Sequence, residues 1–340
     1  MPKIQEAVMK ENTDCMLLGR VVSQNRLIYH VLIGEEEKVG KVSGKLQYEA
    51  LSQEDYPVVG DLVNCKENYD EVVIESILPR KSQIGRKVAG GRSDMQVLAT
   101  NMDKVFITMS LNNDFNIRRL ERYLTLAWDS GAMPVILLTK ADLCDDIEER
   151  LKEVQFACVG VDVFILSMVT GQGIEDLKQY IKKDETVVFV GSSGVGKSSV
   201  VNALLGREEQ RVYAIDEHDK GRHTTTHREL FALPSGGMVI DTPGMRELQL
   251  ISGDIETTFE DIEQLEGKCY FTNCTHQTEP GCVIREAIEK EEISAERYSA
   301  YVKLKKEMAI HEARKRHKEK INLKKHSIRK KAKSTQKWNK

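Results

Sequence analysis

The sequence predicts a multidomain protein with an N-terminal OB-type β-barrel, a central α/β domain with a parallel sheet, and a C-terminal, mostly helical metal-binding domain with a basic tail. Three observations carry this prediction. The chain has 340 residues, whereas an ordinary domain has roughly 100–200. Its apolar pattern changes from short strands between turns to strands that alternate with helices. A cluster of Cys and His residues then interrupts a helical region.

Composition is typical of a globular protein, with 40% hydrophobic and 30% charged residues. The chain has no run of roughly 18 apolar residues, which a membrane-spanning helix needs. Its first residues, Met1–Glu6, lack the apolar core of a secretory signal. We therefore expect a cytoplasmic protein with no membrane partner. A monomer is our working expectation, although the sequence does not encode the oligomeric state in a readable way.

Charge is unevenly distributed along the chain. The segment Lys303–Lys340 holds 16 Lys and Arg residues against three acids, a net charge of +13, although the whole chain carries -3. Such one-sided basic blocks commonly contact nucleic acid. A solvated helix end is the alternative. We predict that residues 321–340 form a basic tail.

Residues 1–81 are predicted to form the barrel. Four short apolar runs, separated by Gly, Asn and Asp turns, predict strands at Met16–Val22, Leu27–Ile33, Val58–Val63 and Val72–Leu78. About five strands in this length suit an OB-type barrel, a fold that often binds oligonucleotides. A barrel that binds no nucleic acid is an equally weighted alternative on this pattern alone. Residues 82–95, rich in Gly and basic side chains, are predicted to be a linker.

Residues 96–250 are predicted to form the α/β domain. The predicted strands are Lys104–Met109, Val135–Leu138, Val161–Leu166, Val187–Val190 and Met238–Ile240. The predicted helices are Ile117–Trp128, Glu148–Phe156, Ile174–Ile181 and Ser199–Leu205. This alternation predicts a parallel sheet covered on both faces.

A phosphate-binding loop is the strongest local signal. Gly191–Ser198 matches G-x-x-x-x-G-K-[ST] in full and lies between a predicted strand and a predicted helix. The glycines let backbone N–H groups turn toward phosphate oxygens, and the helix N-terminus faces the same anion. Lys197 is expected to reach the β- and γ-phosphates and act in catalysis, and Ser198 to hold Mg²⁺. The nucleotide-binding residues predicted here are Gly191, Ser192, Ser193, Gly194, Val195, Gly196, Lys197, Ser198 and Ser199.

A second phosphate-side motif is Asp241–Gly244, sequence DTPG, at the end of a predicted strand. A carboxylate at Asp241 can hold Mg²⁺ through its water shell. Gly244 lets the backbone approach the γ-phosphate.

Between these two motifs lies Gly221–Thr226, sequence GRHTTT. We expect Thr225, with Thr224 as the next choice, to bind Mg²⁺ and sense the γ-phosphate. Met245 stands where a glutamine would orient the attacking water, so turnover of the isolated protein should be slow. His223 is the candidate catalytic replacement; a merely exposed histidine is the alternative.

Two loops are predicted to read guanine. Thr139, Lys140, Ala141 and Asp142 follow a strand and resemble N-K-x-D, in which the carboxylate accepts both N1–H and N2–H₂ of the base. Ser167 begins a loop that resembles S-A-x-x-G-x-G, where the backbone amide of Met168 would face the base. Both loops follow strands, where ligands bind in open α/β sheets. A helix start and an ordinary turn are the alternatives.

The order of these motifs is unusual. Standard GTPases run from the phosphate loop to the guanine loops, whereas here both guanine loops come first. This order predicts a circularly permuted GTPase domain, which is tolerated when the original termini lie close together. It also makes the Asp241–Gly244 segment lead directly into the last domain.

Residues 251–320 are predicted to form a mostly helical domain around one metal ion. Cys269, Cys274, His276 and Cys282 supply three thiolates and an imidazole. This donor set is known for structural Zn²⁺, and four protein ligands leave no open position. Unrelated residues in a chance cluster are the alternative.

Together these motifs resemble the circularly permuted ribosome small-subunit-dependent GTPase A family, over about residues 14–320. The resemblance is carried by Gly191–Ser198, Gly221–Thr226, Asp241–Gly244, Thr139–Asp142 and the Cys₃His set, and Val58–Asp61 in the barrel also looks familial. It implies a GTP phosphohydrolase that binds GTP and GDP, contacts 16S rRNA, acts late in 30S subunit maturation and is stimulated by the subunit.

Two other functions are alternatives. One is a GTP-gated RNA-binding switch with incidental hydrolysis, which Met245 favours. The other is a structural RNA-binding protein with a degenerate nucleotide site, against which Lys197, Ser198 and Asp241 argue.

Overall fold

The computed structural model describes residues 16–87, 95–206, 228–241 and 255–306, together with 308–310, 313 and 316. Among these residues, none of the helices combines the length and the apolarity that a bilayer crossing requires. The predicted basic tail, residues 321–340, lies outside the described residues.

The strands are β1 Leu17–Asn25, β2 Ile28–Ile33, β3 Glu36–Val42, β4 Leu62–Asn68, β5 Glu71–Ile77, β6 Gln83–Lys87, β7 Met95–Thr100, β8 Lys104–Ser110, β9 Met133–Thr139, β10 Asp162–Ile165, β11 Thr186–Val190, β12 Arg228–Ala232 and β13 Met238–Asp241. The helices are α1 Gly44–Glu49, α2 Ile117–Asp129, α3 Ile147–Ala157, α4 Ile174–Tyr180, α5 Lys197–Leu205, α6 Ile255–Thr258, α7 Glu260–Glu263 and α8 Val283–Glu289. Residues 295–306 form a further helix.

Strands β1 to β5 form the predicted N-terminal barrel. β1 pairs with both β2 and β4, and β3 pairs with β2 and β5, so the ladder closes on itself. Fully buried side chains fill it, including Val21, Tyr29, Val31, Val63 and Ile74. Strand β3 was absent from the predicted runs because charged residues, not apolar ones, dominate its sequence.

The central sheet has the strand order β10-β9-β8-β11-β13-β12. All neighbours are parallel except β12, which pairs antiparallel with β13. Apolar side chains cover both faces of the sheet in separate clusters. This confirms the predicted α/β domain with its mainly parallel sheet.

Helix α2 shows how sequence sets the packing of that domain. Asn116 caps it by accepting a hydrogen bond from the Arg119 amide, 2.9 Å away. Leu120, Tyr123 and Leu124 recur at helical spacing and are buried against the sheet.

Barrel and central sheet join along a seam. β1 pairs antiparallel with β12, Gln24 opposite Arg228, so the two sheets form one continuous ladder. Gly60 has φ +97°, and a Cβ there would lie 2.1 Å from the Thr100 carbonyl oxygen. Residues 58–61, predicted as part of a strand, instead turn tightly against β7, and β4 begins at Leu62.

A buried arginine crosses the same seam. Arg20 on β1 donates to Thr186 Oγ1 at 2.8 Å and to the Asn101 carbonyl at 3.3 Å. Burial lowers its pKa to about 10, although nearby Asp103 opposes the shift. Because a buried charge must keep its hydrogen bonds, Arg20 fixes the barrel to the base of β11.

The interval predicted as a linker is partly regular structure. Residues 83–87 form β6, which pairs antiparallel with β7. Ile84 and Leu98 are buried and join the main apolar cluster. The ends of the interval thus form a hairpin between barrel and sheet, while residues 88–94 lie outside the described residues.

The C-terminal segment is mostly helical, as predicted, and packs on α2. Arg297 donates two hydrogen bonds of 2.9 Å to Asp261 and also pairs with Glu121 of α2, which is fully buried. Its guanidinium lies 4.8 Å from the Phe259 ring centre. Apolar residues of both domains form one cluster, so the last domain shares its core with the sheet.

Candidate functional site

Four predicted motifs meet at one edge of the central sheet. Strands β9, β10, β11 and β13 are parallel members of it, and their carboxyl ends lead to Thr139, Ser167, Gly191 and Asp241. Ligands of open α/β sheets bind at this edge. Motifs up to about 100 residues apart in the chain therefore share one site, as expected for a sheet of this kind.

The phosphate loop needs its glycines. Gly191 has φ +143°, and a Cβ there would lie 2.3 Å from the Thr108 carbonyl of β8. Gly194 and Gly196 also have positive φ, a region that residues with a Cβ rarely adopt. Lys197 Nζ donates to the carbonyls of Gly191 at 2.6 Å and Ser192 at 2.5 Å, so its ammonium lies over the loop.

Helix α5 starts at Lys197, directly after the loop. Its buried face anchors it in the sheet's second core, through Val200, Val201, Leu204 and Leu205. Ser198 and Ser199 are exposed in its first turn. The positive end of the helix therefore faces the loop, which is the arrangement that binds phosphate.

A hydroxyl ties the guanine loop to the phosphate loop. Thr139 Oγ1 donates to the Val195 carbonyl at 2.5 Å, and Thr139 is only 2% exposed. Sequence reasoning assigned Thr139 to nucleotide binding alone and missed this contact. No sequence pattern predicts this hydrogen bond, because the two residues lie 56 positions apart.

The second guanine loop supports the first. Ser167 Oγ donates to Asp142 Oδ1 at 2.5 Å and accepts from the amides of Val169 and Thr170 at 3.2 Å. Asp142 itself is exposed. Its carboxylate is therefore held by one contact and open to a ligand on the solvent side.

The rest of the two loops follows from backbone contacts. Lys140 has φ +58°, which turns the chain sharply after β9. The Ala141 amide donates to the Leu166 carbonyl at 3.1 Å and joins the two loops directly. Met168 is half-buried, its side chain packed on the sheet's second core.

Of the predicted Mg²⁺ ligands, the structure describes Ser198 and Asp241. Asp241 is exposed at the end of β13, opposite Glu229 of β12. The remaining predicted residues on the γ-phosphate side, His223, Thr225 and Gly244, lie outside the described residues.

The four predicted metal ligands do come together. Their donor atoms all lie within 4.8 Å of one another. Cys269 and Cys282 sulfurs are 3.9 Å apart, and His276 Nδ1 lies 3.5 Å and 3.4 Å from them. A tetrahedral zinc with bonds of about 2.3 Å to sulfur and about 2.0 Å to nitrogen gives separations of about 3.8 Å and 3.5 Å. The donor set and its spacing fit Zn²⁺.

The thiols of this cluster differ in acidity. Burial opposes ionisation of Cys269, but hydrogen bonds with the backbone of Val283 and with neighbouring thiols outweigh it, so its pKa lies below the ordinary value. Burial raises the pKa of Cys274 to about 11. Since a metal binds thiolates, its binding here would release protons.

Comparison with known proteins agrees with this geometry. The family model "RsgA GTPase" matches residues 77–251, about half of the chain. A model for ABC transporters matches residues 174–336, a range that includes the phosphate loop.

Named relatives and solved structures cover most of the chain. "Small ribosomal subunit biogenesis GTPase RsgA 2" of Lactiplantibacillus plantarum is 49% identical over 90% of this chain and 87% of its own length. "RsgA 1" of Oceanobacillus iheyensis is 46% identical over 86% and 85%. YjeQ from Thermotoga maritima matches with a TM-score of 0.63 and 29% identity, covering 86% of this chain and 99% of that one. YloQ, "a circularly permuted GTPase", matches with a TM-score of 0.61, 26% identity and coverage of 86% and 95%.

The permuted motif order, the shared site edge and these relatives agree with one another. The chain belongs to the RsgA GTPase family.

Proposed function

We propose that this protein binds the small ribosomal subunit, assists its late maturation, and hydrolyses GTP to GDP and phosphate with stimulation by the subunit. The observation that carries the GTPase part is the contact between the guanine loop and the phosphate loop, Thr139 to Val195. This contact supports one site in which the predicted base-reading loop and the phosphate loop act together. The ribosomal part rests on relatives named small ribosomal subunit biogenesis GTPases.

Phosphate binding follows from the loop and helix α5. Backbone amides of the loop and the helix N-terminus face the β- and γ-phosphates, and Lys197 lies over the same loop. Ser198 and Asp241, with Thr225, would hold Mg²⁺, which neutralises phosphate charge when bound.

Base selection follows from Asp142. Its carboxylate accepts both the N1–H and N2–H₂ donors of guanine, a pair that adenine does not offer. Ser167 orients it through a 2.5 Å hydrogen bond. The backbone of Ala141 and Met168 would line the base, with Lys140 beside it.

Hydrolysis should be slow in the isolated protein, because Met245 cannot orient the attacking water. His223 is our candidate to do so once the ribosomal subunit positions it. We also propose one structural Zn²⁺ at the Cys₃His set, 16S rRNA as partner of the barrel and the basic tail, and a cytoplasmic monomer.

GTP hydrolysis by the full chain, with and without 30S subunits at fixed salt, tests this function. We expect strong stimulation by the subunit, and loss of turnover in Lys197→Ala with the barrel still folded. Lys178→Ala is a matched control, since Lys178 is a partly exposed lysine on α4 whose ion pair among the described residues is with Glu175. Unchanged hydrolysis in Lys197→Ala would refute the site.

The second candidate is a GTP-gated RNA-binding switch with incidental hydrolysis, which Met245 favours. Tight GTP binding without stimulation by the 30S subunit would support it over the first.

A further inference from the structure

A second pocket lies at the seam between barrel and sheet, on the β1–β12 ladder rather than at the GTP site. Its cavity of about 360 Å³ is within the roughly 300–1,000 Å³ of small-molecule sites. The seam pocket is lined by, among others, Gln24, Arg26, Tyr29, Tyr56, Gln96 and Arg228. It thus combines aromatic rings, amides and arginines from four separate parts of the chain.

Two buried polar atoms of this pocket lack a well-formed hydrogen bond among the described residues, although the Gln24 side chain lies close enough to Tyr29 to oppose the rise in its pKa. Tyr29 is fully buried, and neither its hydroxyl nor Gln24 Oε1 makes a hydrogen bond of ordinary geometry within the described residues. Buried polar atoms are normally satisfied, and leaving one unpaired is costly. Burial raises the pKa of Tyr29 to about 12, with Tyr56 and Asp61 adding to the shift, so the hydroxyl keeps a proton to donate.

Among the described residues, two arginines line the pocket, Arg26 and Arg228, and a third, Arg86, lies close to Arg228. Arg228 donates to the Val97 carbonyl at 2.9 Å, and Arg86 donates to Gln96 at 3.1 Å. Burial and the like charge of Arg86 lower the pKa of Arg228. No carboxylate of the described residues forms an ion pair with either arginine, and Arg26 adds a third cation at the exposed rim. Such a group of cations calls for an anion.

We propose that the seam pocket binds one unstacked nucleotide of a single-stranded RNA, with its phosphate at Arg26 and Arg228 and its base against the partly exposed ring of Tyr56 and the glutamine side chains. Aromatic rings and arginines are the side chains that hold unpaired RNA bases. The proposal rests on the proposed function, in which ribosomal RNA is the partner. Arg228 is also the first residue of β12, two positions after the threonines of Gly221–Thr226, so a nucleotide here touches the strand that leaves the nucleotide switch.

Binding of a fluorescein-labelled hexauridylate to the full chain, followed by anisotropy over a salt series, tests the proposal. We expect Arg228→Gln and Tyr56→Leu each to weaken binding about tenfold. Arg26→Gln, which changes an exposed side chain at the rim, should make the slope of log K against log salt less steep by about 0.7. Arg150→Gln, an exposed arginine of α3, is the charge-matched control and should change neither.

Photocrosslinking locates the base. A hexamer with one central 4-thiouridine should attach to peptides containing residues 24–29, 53–58, 96–97 or 228. Crosslinks elsewhere only, or equal binding by all pocket variants, would overturn the proposal. Free uridine monophosphate is the competitor: displacement of the hexamer at equal concentration would mean a free-nucleotide site and would overturn the RNA assignment.

Failure of this proposal and failure of the proposed function are separable. Subunit-stimulated GTP hydrolysis with no seam crosslink would refute RNA binding by the seam pocket and would still support the proposed function. Seam crosslinks without stimulation of GTP hydrolysis by the 30S subunit would support RNA binding by the seam pocket and refute the proposed function. Basal GTP hydrolysis of Arg26→Gln should equal that of the wild type in either case.

Discussion

At the scale of single residues, Thr139 and Asp142 make different contacts within the predicted guanine loop. Thr139 turns inward and holds the phosphate loop through the Val195 carbonyl, whereas Asp142 is exposed and supported by Ser167. A threonine hydroxyl is short, so it reaches a carbonyl only because β9 and the phosphate loop lie in close contact. The loop predicted to read guanine is therefore in direct contact with the phosphate loop.

Replacing Thr139 by valine keeps its shape and removes its hydroxyl. The Val195 carbonyl then loses its buried donor, at a cost of about 1–3 kcal/mol. We expect roughly tenfold weaker GTP binding, measured by titration with a fluorescent GTP analogue. Thr139→Ser keeps the hydroxyl and should bind almost normally; equal weakening in both variants would contradict this role.

Replacing Asp142 by asparagine exchanges an acceptor for a donor at the base. Guanine offers two donors there, but xanthine offers a carbonyl oxygen in place of the amino group. We expect Asp142→Asn to favour xanthosine over guanosine triphosphate in competition binding. Asp145→Asn, another exposed acid nearby, is the control, and an unchanged base preference in Asp142→Asn would remove that residue from the site.

At the scale of elements, the Cys₃His loop buries few apolar side chains, and a bound metal would stabilise it in place of an apolar core. The loop lies between α7 and α8, and two of its aromatic residues, Tyr270 and Phe271, are exposed rather than buried. A segment with so little apolar burial needs another source of stability, which four bonds to a metal would supply.

Removal of the metal should therefore unfold this loop. We expect one zinc per chain by elemental analysis, and a lower thermal midpoint after chelation. Cys282→Ser should lose the metal, whereas Cys144→Ser, a cysteine outside the cluster, should keep it. A full complement of zinc in Cys282→Ser would place the metal elsewhere.

At the scale of the whole molecule, two buried cations join three parts. Arg20 links the barrel to β11, and Arg297 links the C-terminal helices to α2 through Glu121. One contact therefore ends on the central sheet and the other on a helix packed against it, so both reach the α/β domain that carries the predicted nucleotide site. Since residues 242–254 connect Asp241 to α6, a change at the γ-phosphate has a short covalent path to the last domain.

Breaking the Glu121 pair tests the second link. Glu121→Gln leaves Asp261 as the carboxylate that pairs with Arg297 among the described residues, and it also removes the carboxylate paired with Arg118. Disrupting buried pairs costs about 3–5 kcal/mol. We expect this loss in the free energy of unfolding by urea titration. Glu153→Gln, from an exposed pair with Arg150, should cost under about 1 kcal/mol. The double variant Glu121→Met with Arg297→Met should recover most of the loss, and no loss in Glu121→Gln would contradict the link.

Local sequence patterns were sufficient to predict many of the elements of this molecule. The apolar residues of α2, the glycines around Gly191 and the spacing of the four metal ligands each reflect a local physical requirement, so their elements were predictable. Strand β3 escaped prediction because its charged side chains form ion pairs on the barrel surface, such as Lys38 with Glu67. The hairpin of β6 and β7 was not predicted because its segment is rich in glycine and basic residues, so the one apolar residue that it buries from β6, Ile84, gave no strand pattern.

The sequence by itself determined the fold class, the permuted motif order and the donor set of the metal site, because each depends on residue type and spacing within one segment. Only the tertiary structure decided that Thr139 donates a hydrogen bond to Val195 and that Arg297 forms an ion pair with Glu121. It also decided that a strand of the barrel pairs with a strand of the central sheet, with a pocket beside that pairing. The first two contacts join residues 56 and 176 positions apart. Partners so distant are chosen by how whole elements pack, which no local pattern records.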